Sequence, residues 1–295
     1  MGKLFSKYLF VAVLLLLATG KHEYAADNPI RIMTYNIRYA ASEKEHGINA
    51  WEFRKDAVAN MIRFNKADIV GLQEALKVQL DDFKNLLPEY AYVGVGRDDG
   101  KDAGEHAAIL YKKSRFTVVK SSTFWLSETP AKVSMGWDAV CNRVVTWAQF
   151  RDKMTGKCYF HFNTHFDHIG EKARINSASL LLVEIKAIAG NSPVVVSGDF
   201  NFTSDTQYYK ILTTSEDEGG KLKITDAQKI SVFPHYGGHV SFNDFDKNTN
   251  PENKIDYIFI KNGIKVKSHG IIGEKFEGRY PSDHMPVISD IDIIK

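Results

Sequence analysis

Cysteine is almost missing: the 295 residues contain two, Cys141 and Cys158. No thiol cluster exists to build a structural zinc site, and no framework of disulfides can hold the fold together. A hairpin read around residues 152–156 places Cys158 opposite roughly Phe150, about eight residues along the strand from Cys141. At about 3.4 Å per residue the two sulfurs are too far apart to bridge. Also missing are internal repeats, low-complexity tracts and any Pro/Ser-rich linker, which excludes solenoids and strings of small domains. There is no run of lysine and arginine of the kind that follows a duplex backbone. Nor is there a hydrophobic hairpin suited to membrane insertion; residues 94–100 are polar and glycine-rich.

A single apolar stretch stands out, Tyr8 to Ala18, preceded by Lys3 and Lys7 and followed by Thr19 and Gly20. That pattern reads as a secretory leader over residues 1–20, cleaved after Gly20, because the run is short for a bilayer span. No cysteine follows it to carry a lipid anchor. The expectation is an exported, periplasmic or secreted protein that is soluble, monomeric and without stable membrane insertion after cleavage. Over the whole chain 38 basic residues face 36 acidic ones; residues 1–20 hold two lysines and no acid, leaving 36 against 36. Near-neutrality disfavours, without excluding, a life on polyphosphate.

About 275 residues remain, read as one domain over 28–295. Alternation predicts strands at 30–37, 67–72, 90–95, 107–112 and 117–125, then a hairpin at 144–150 and 157–163. Further strands are expected at 194–197, 255–260, 265–272 and 285–291. Helical periodicity marks 51–65, 78–87, 171–189 and 206–212. Many strands with interspersed helices predict an α+β fold: two packed, mainly antiparallel sheets flanked by helices, a four-layer α/β/β/α sandwich.

The apolar runs end alike. Val194-Val195-Val196 discharges into Ser197-Gly198-Asp199-Phe200-Asn201, so a strand stops, turns sharply and delivers an acid and an amide at its lip. Other runs end on Asn36, on Gln73-Glu74, on Asn163-Thr164-His165 with Asp167 and His168 beyond, and on Asp256. Asp283-His284 precede the last strand. Singly, such a group is more often a solvated turn residue. Six such ends, all oxygen or nitrogen donors, suit a hard divalent ion such as Mg²⁺ or Mn²⁺.

In order and spacing, the segments MTYN (33–36), GLQE (71–74), GEHAAILY (104–111), NTHFDH (163–168), SGDFN (197–201), IDYIF (255–259) and SDHMP (282–286) resemble the endonuclease/exonuclease/phosphatase superfamily. Residues 125–130 and 136–139 resemble an exported bacterial branch of it. The resemblance implies metal-assisted phosphoester hydrolysis. It implies Glu74 as principal metal carboxylate with Asn36 beside it, and Asp283 completing the metal shell or holding a second ion. It implies His284 on the scissile phosphate with Asp256 behind it, Asp199 as acid/base and Asn201 as hydrogen-bond donor to the phosphoryl oxygens. It also implies a second phosphate-facing histidine, His165, partnered by Glu105. Such chemistry asks mainly for positioning and charge neutralisation.

Substrate choice belongs to the loops. Those loops carry Arg97, Arg143 and Arg174 as candidate phosphate clamps, each equally readable as a structural ion pair. Trp125, Trp137, Phe166, His239 and Phe242 could stack on a sugar or base. The expected substrate is a small phosphoester, such as a phosphorylated sugar or glycan. A nuclease on DNA or RNA is the alternative, and a non-catalytic binding protein on the same scaffold the lesser one.

Overall fold

The computed structural model describes residues 28–216, 222–247, 250 and 253–294; the leader expected over 1–20 lies outside them. The first half of the chain forms β1 (Ile30–Asn36), a single-turn α1 (Glu43–His46), α2 (Trp51–Phe64), β2 (Ile69–Gln73), α3 (Lys77–Leu86), β3 (Tyr90–Val93), β4 (Ile109–Lys112) and β5 (Phe116–Trp125). Then follow β6 (Val144–Asp152), β7 (Cys158–His165), α4 (Glu171–Ala189), β8 (Val194–Asp199) and α5 (Gln207–Thr214). The chain closes with β9 (Thr225–Asp226), α6 (Ala227–Ile230), β10 (Tyr236–Gly237), β11 (Asp256–Lys261), β12 (Ile264–Ile271) and β13 (Val287–Ile293). The strongly periodic helices fall within two residues of their predicted bounds. The short elements α1, β9, α6 and β10 were not foreseen, because two to four residues carry no readable period.

The strands form two sheets, one ordered β10-β12-β13-β1-β2-β4-β3 and the other β5-β6-β7-β8-β11-β9. Each contains a parallel pair joined by a helical crossover, β1 and β2 around α2 and β7 and β8 around α4, and the short β10 also runs parallel to β12 at the edge of the first sheet. Their neighbours β13 and β11 run antiparallel. Among the described helices none is long and apolar enough to cross a membrane.

Alternation explains the layers. Ile32, Ile69, Ile109, Phe150, Tyr159, Val195 and Ile258 meet between the sheets. Met33, Tyr35, Val70 and Leu72 point the other way, under α2 and α3. Val194 and Val196, with Phe160 and Phe162, face α4 and α5. The β-branched run 194–196 is therefore buried on both faces, as a central strand requires. The expected four-layer α/β/β/α sandwich is the fold observed. The 144–163 hairpin is offset by one from expectation: Cys158 lies opposite Arg151 rather than Phe150, and both cysteines are free.

Toward one end, the apolar seam between the sheets gives way to a polar one. Asn163 Nδ2 donates to the carbonyls of Leu72 and Ala108 at 2.8 and 2.9 Å. Its Oδ1 accepts from Gln73 Nε2 at 2.7 Å and Ser197 Oγ at 3.0 Å. Because the Ser197 hydroxyl proton goes to Asn163, His161 Nε2 donates to Ser197 Oγ, at 2.8 Å. The backbone of Gly71 passes so close that a β-carbon there would lie 2.3 Å from both Asn163 Oδ1 and Ser197 Oγ. A buried hydrogen-bond network of this kind helps to set the spacing of the two sheets.

Candidate active site

Register, more than loop structure, assembles the cleft just beyond that seam. Asn36 pairs with Gln73 across β1 and β2, His165 with Asp199 across β7 and β8, and Asp199 with Asp256 across β8 and β11. Neighbouring strands lie about 4.8 Å apart, so these ends deliver their side chains to one place. Asp283 and His284 arrive from the turn before β13, where Ser282 Oγ donates to the Asn36 carbonyl at 2.7 Å. Three residues at the lips, Arg38, Glu74 and Asn201, adopt left-handed backbone conformations with φ of 54°, 60° and 52°. Side-chain-bearing residues adopt that region at a cost, and it commonly marks functional turns.

One amide joins the two sheets at the site. Asn36 Nδ2 donates to Glu74 Oε1 at 3.0 Å and to Asp199 Oδ2 at 2.9 Å, while its Oδ1 accepts from the Arg38 backbone. Glu74 Oε2 accepts from the Tyr39 N–H. Asp199 Oδ1 accepts from the Asn201 N–H, and its Oδ2 lies 3.4 Å from His165 Nε2 and 3.6 Å from His284 Nε2. His284 Nδ1 donates to Asp256 Oδ2 at 2.9 Å. Arg38 spans Glu74 and Asp283, its guanidinium 3.6 Å from each.

Burial separates the charge states of these groups. Burial and the neighbouring Asp256 carboxylate push Asp199 up to about 7, against the opposing pull of His284. Burial alone would depress His284, but Asp256 and Asp199 outweigh it and raise the imidazole to about 10. His165 goes the other way: burial, reinforced by Arg143 and Arg97, holds it well below the ordinary histidine range. Glu74 is buried too, yet Arg38, His284 and its two hydrogen bonds keep it below the ordinary carboxylate value. The cleft thus holds an ionised glutamate, a cationic histidine, a neutral histidine and an aspartate poised near neutrality. Acid and base roles divide where environments push such groups apart.

The expected residues are mostly brought together. Glu74, Glu105, His165, Asp199, Asn201, Asp283 and His284 line one cavity of about 340 Å³ with Arg97 and Arg143, and Asp256 lies directly behind His284. Asn36, read as a metal ligand, donates from Nδ2 to Glu74 and Asp199 and accepts the Arg38 N–H on Oδ1, so it also positions the acids. Two expectations need correction. Glu105 does not hydrogen-bond His165; its Oε2 lies 3.9 Å from Nδ1 and is taken instead by Arg97 Nη1 at 2.6 Å. Arg174 is not among the lining residues. It sits on α4, donates to the Asp167 carbonyl at 3.1 Å and lies over the Tyr208 ring at 5.0 Å.

Of the candidate stacking residues, Phe166 is core, packed on Phe200 and Phe202. Trp125 is buried and donates from Nε1 to the Arg97 carbonyl. Phe242 does line the cleft, 4.8 Å from the His284 ring. Arg143 is pinned by Asp167 at 3.4 Å and donates to His168 Nδ1 at 2.8 Å. Arg38 was missed altogether; its signal is a cation two residues beyond Asn36.

The site and fold define a phosphoesterase of the metal-dependent kind, and comparison with known proteins agrees. The chain belongs to the endonuclease/exonuclease/phosphatase family, whose profile matches residues 33–284. It is similar to an endonuclease/exonuclease/phosphatase from Bacteroides vulgatus, 44% identical with a TM-score of 0.84, over 90% of this chain and 99% of that one. A mannosyl-6-phosphatase from Bacteroides thetaiotaomicron is 38% identical with a TM-score of 0.82, over 89% and 99% of the two chains. The CCR4-Not 3'-5'-exoribonuclease subunit Ccr4 of Mycosarcoma maydis is 23% identical; the match takes in 91% of this chain and 51% of that protein. The protein is therefore an enzyme, a divalent-metal-dependent hydrolase of phosphoester bonds.

Proposed function

We propose that the protein is an exported Mg²⁺-dependent phosphatase acting on a small phosphoester, a phosphorylated sugar or glycan being the best candidate. The observation that carries this reading is the shape of the cleft. A cavity of about 340 Å³ walled by Tyr39, Arg97, Arg143, His168 and Phe242 suits a small molecule entering by its phosphate end. Its arginines are held by local acids and a histidine and form no track leading away from the site. The similarity to a mannosyl-6-phosphatase points the same way. Export rests on the leader-like composition of residues 1–20.

The donor set fits a hard cation. Glu74 and Asp283 are buried carboxylates facing one guanidinium at equal distance, so a positive charge is already required between them. Asp199, Asp256 and His284 also bring one donor atom each within 4.8 Å of the others. However, His284 spends Nδ1 on Asp256 and is cationic, which makes that trio a proton-handling group. A divalent ion held by Glu74 and Asp283 would neutralise charge on the phosphoryl oxygens.

The remaining work falls to the chain's own groups. His284, kept protonated by Asp256, donates to a phosphoryl oxygen, and Asn201 and His165 complete the cradle. Asp199 takes a proton from the attacking water, with its Oδ2 fixed by Asn36 and its Oδ1 by the Asn201 N–H. No covalent intermediate is called for. The decisive experiment is a panel of mannose 6-phosphate, other sugar phosphates, inositol phosphates, DNA and RNA, with the Asp199→Asn variant as blank. Sugar phosphates should be turned over at least about tenfold more efficiently than nucleic acid at moderate salt; the reverse order would make the enzyme a nuclease. Exhaustive chelation should abolish turnover, and Mg²⁺ or Mn²⁺ should restore it.

A further inference from the structure

Arg38 differs from the other arginines of the cleft. Arg97 and Arg143 each place a guanidinium N–H in a close hydrogen bond to a side chain, at 2.6 and 2.8 Å. Arg38 meets Glu74 and Asp283 only at 3.6 Å, and its buried Nε has no hydrogen-bond partner. Its guanidinium rests over the Tyr39 ring, 4.6 Å from the centroid, and its side chain is 31% exposed. The contacts are those of a counter-charge, loosely held.

The backbone beneath that side chain is anything but loose. Arg38 has φ of 54°, a conformation that its β-carbon disfavours. Its N–H donates to Asn36 Oδ1 at 3.0 Å, and its carbonyl accepts from Arg54 Nη2 at 2.7 Å and Gln79 Nε2 at 2.9 Å. Arg54 is itself buried, and its other donors go to the carbonyls of Ile37, Asn49 and Pro281. Two buried side chains, Arg54 and Gln79, therefore hold the strained turn in place. Such over-determination is found where the direction of one side chain matters. Here the direction is into the cleft, between the two acids.

We propose that Arg38 is a two-position residue. Without a divalent ion its guanidinium keeps Glu74 and Asp283 together as their counter-charge. When an ion takes those carboxylates, Arg38 turns toward the cavity and binds the phosphoryl oxygens of substrate or product. Like charges cannot share the gap: a divalent ion and a guanidinium on the same two carboxylates repel strongly at such range. The planar fork matches two oxygens of a phosphoryl group, and the guanidinium already lies over Tyr39, whose ring face can carry it as it turns. The inference rests on phosphoester chemistry at this site and not on the sugar reading, since phosphate alone is the ligand it requires.

The proposal makes two effects of opposite sign from one substitution. In Arg38→Met, which keeps the stem and removes the charge, Mn²⁺ should bind at least about threefold tighter by calorimetry, because a competing cation is gone. In the same variant loaded with Mn²⁺, inorganic phosphate should bind about tenfold more weakly, the loss of one charge-assisted contact. A residue that merely supports the fold would weaken both. Unchanged or weaker Mn²⁺ affinity, or unchanged phosphate affinity, overturns the proposal. Should Arg38→Met fail to fold by circular dichroism, Arg38→Lys carries the test: it keeps the charge and loses the fork, so Mn²⁺ affinity should hold while phosphate affinity falls about threefold or more. Undiminished phosphate binding in that variant overturns the proposal equally. Both titrations are read without turnover, so a failure of the substrate assignment leaves them interpretable.

Discussion

Asp256 Oδ2 accepts the Nδ1 proton of His284 at 2.9 Å, with both side chains buried and only the imidazole edge open to the cleft. The pair fixes the ring so that Nε2 faces the reacting centre, 3.6 Å from Asp199, and supplies the negative charge that keeps the imidazole protonated. Asp256→Asn preserves the shape and removes that charge. Turnover should fall by about 10²–10⁴, the contribution of a positioned proton donor, with KM changed far less. Steady-state kinetics settles it, and a rate within threefold of wild type would take Asp256 out of the mechanism.

Asp199 presents a different case, a carboxylate held near neutrality by burial and by Asp256. Asp199→Asn keeps the hydrogen bonds to the Asn201 N–H and the volume, and loses the base. The expected drop in kcat is about 10³ or more, with a lowered melting temperature because the new amide opposes the Asn36 Nδ2 donor and leaves the His284 cation with one partner fewer. Retained activity would move the proton transfer elsewhere.

Arg174 should be catalytically silent. It packs on Tyr208 and the Asp167 carbonyl, away from the cavity. Arg174→Ala should leave kcat/KM within about twofold and cost about 1 kcal/mol of stability. A loss of kcat/KM beyond tenfold would place this guanidinium on the substrate.

Two buried histidines predict how stability responds to acid. Burial holds His161 down at about 3. Burial, with the nearby Lys254 and His235 charges, holds His269 at about 2. In the unfolded chain both return to the ordinary 6.5. Below that value the unfolded state takes up protons that the native state refuses. Stability is thus complete above pH 6.5 and declines as pH falls, by about 1.4 kcal/mol per unit for each histidine. Urea unfolding at pH 7.5 and 5.5 should differ by nearly 3 kcal/mol from these two groups. His161→Gln should remove about 1.4 kcal/mol of that difference; an unaltered slope would show that His161 is charged in the native state.

Gly71 tests the polar seam. A methyl group there would overlap Asn163 Oδ1 and Ser197 Oγ, and neither can move without stranding a buried partner. Gly71→Ala should lower unfolding free energy by about 2–3 kcal/mol. A neutral result would mean that the two sheets can separate locally at little cost.

The sequence was most informative where periodicity was long. Helix 171–189 and the buried run at 194–196 were legible because each carries a repeated pattern with one physical cause. The site was legible as a set of strand ends, because apolar runs that stop on acids, amides and histidines are conspicuous in the letters. Its internal wiring was not. Whether Glu105 goes to His165 or to Arg97 is decided by distances of 3.9 and 2.6 Å and by burial that leaves His165 neutral, none of which the letters carry. Arg38 escaped notice because its importance comes from a left-handed backbone angle, which only glycine advertises in a sequence. Arg174 misled because a guanidinium one turn into a helix looks the same on paper whichever side of the helix it leaves.

Asn36 spans the two halves of the molecule: its amide touches Glu74 from one sheet and Asp199 from the other. The residues that gather positive charge and the residue that moves a proton hang from separate sheets, and a single side chain serves as the gauge between them. Beyond the Arg38 and Tyr39 N–H groups that hold Asn36 and Glu74, the rim loops take no part in that measurement. They can be recut in length and character to admit another phosphorylated molecule while the distance between charge and proton stays as it is, so appetite for substrates can drift in this scaffold without disturbing its reaction.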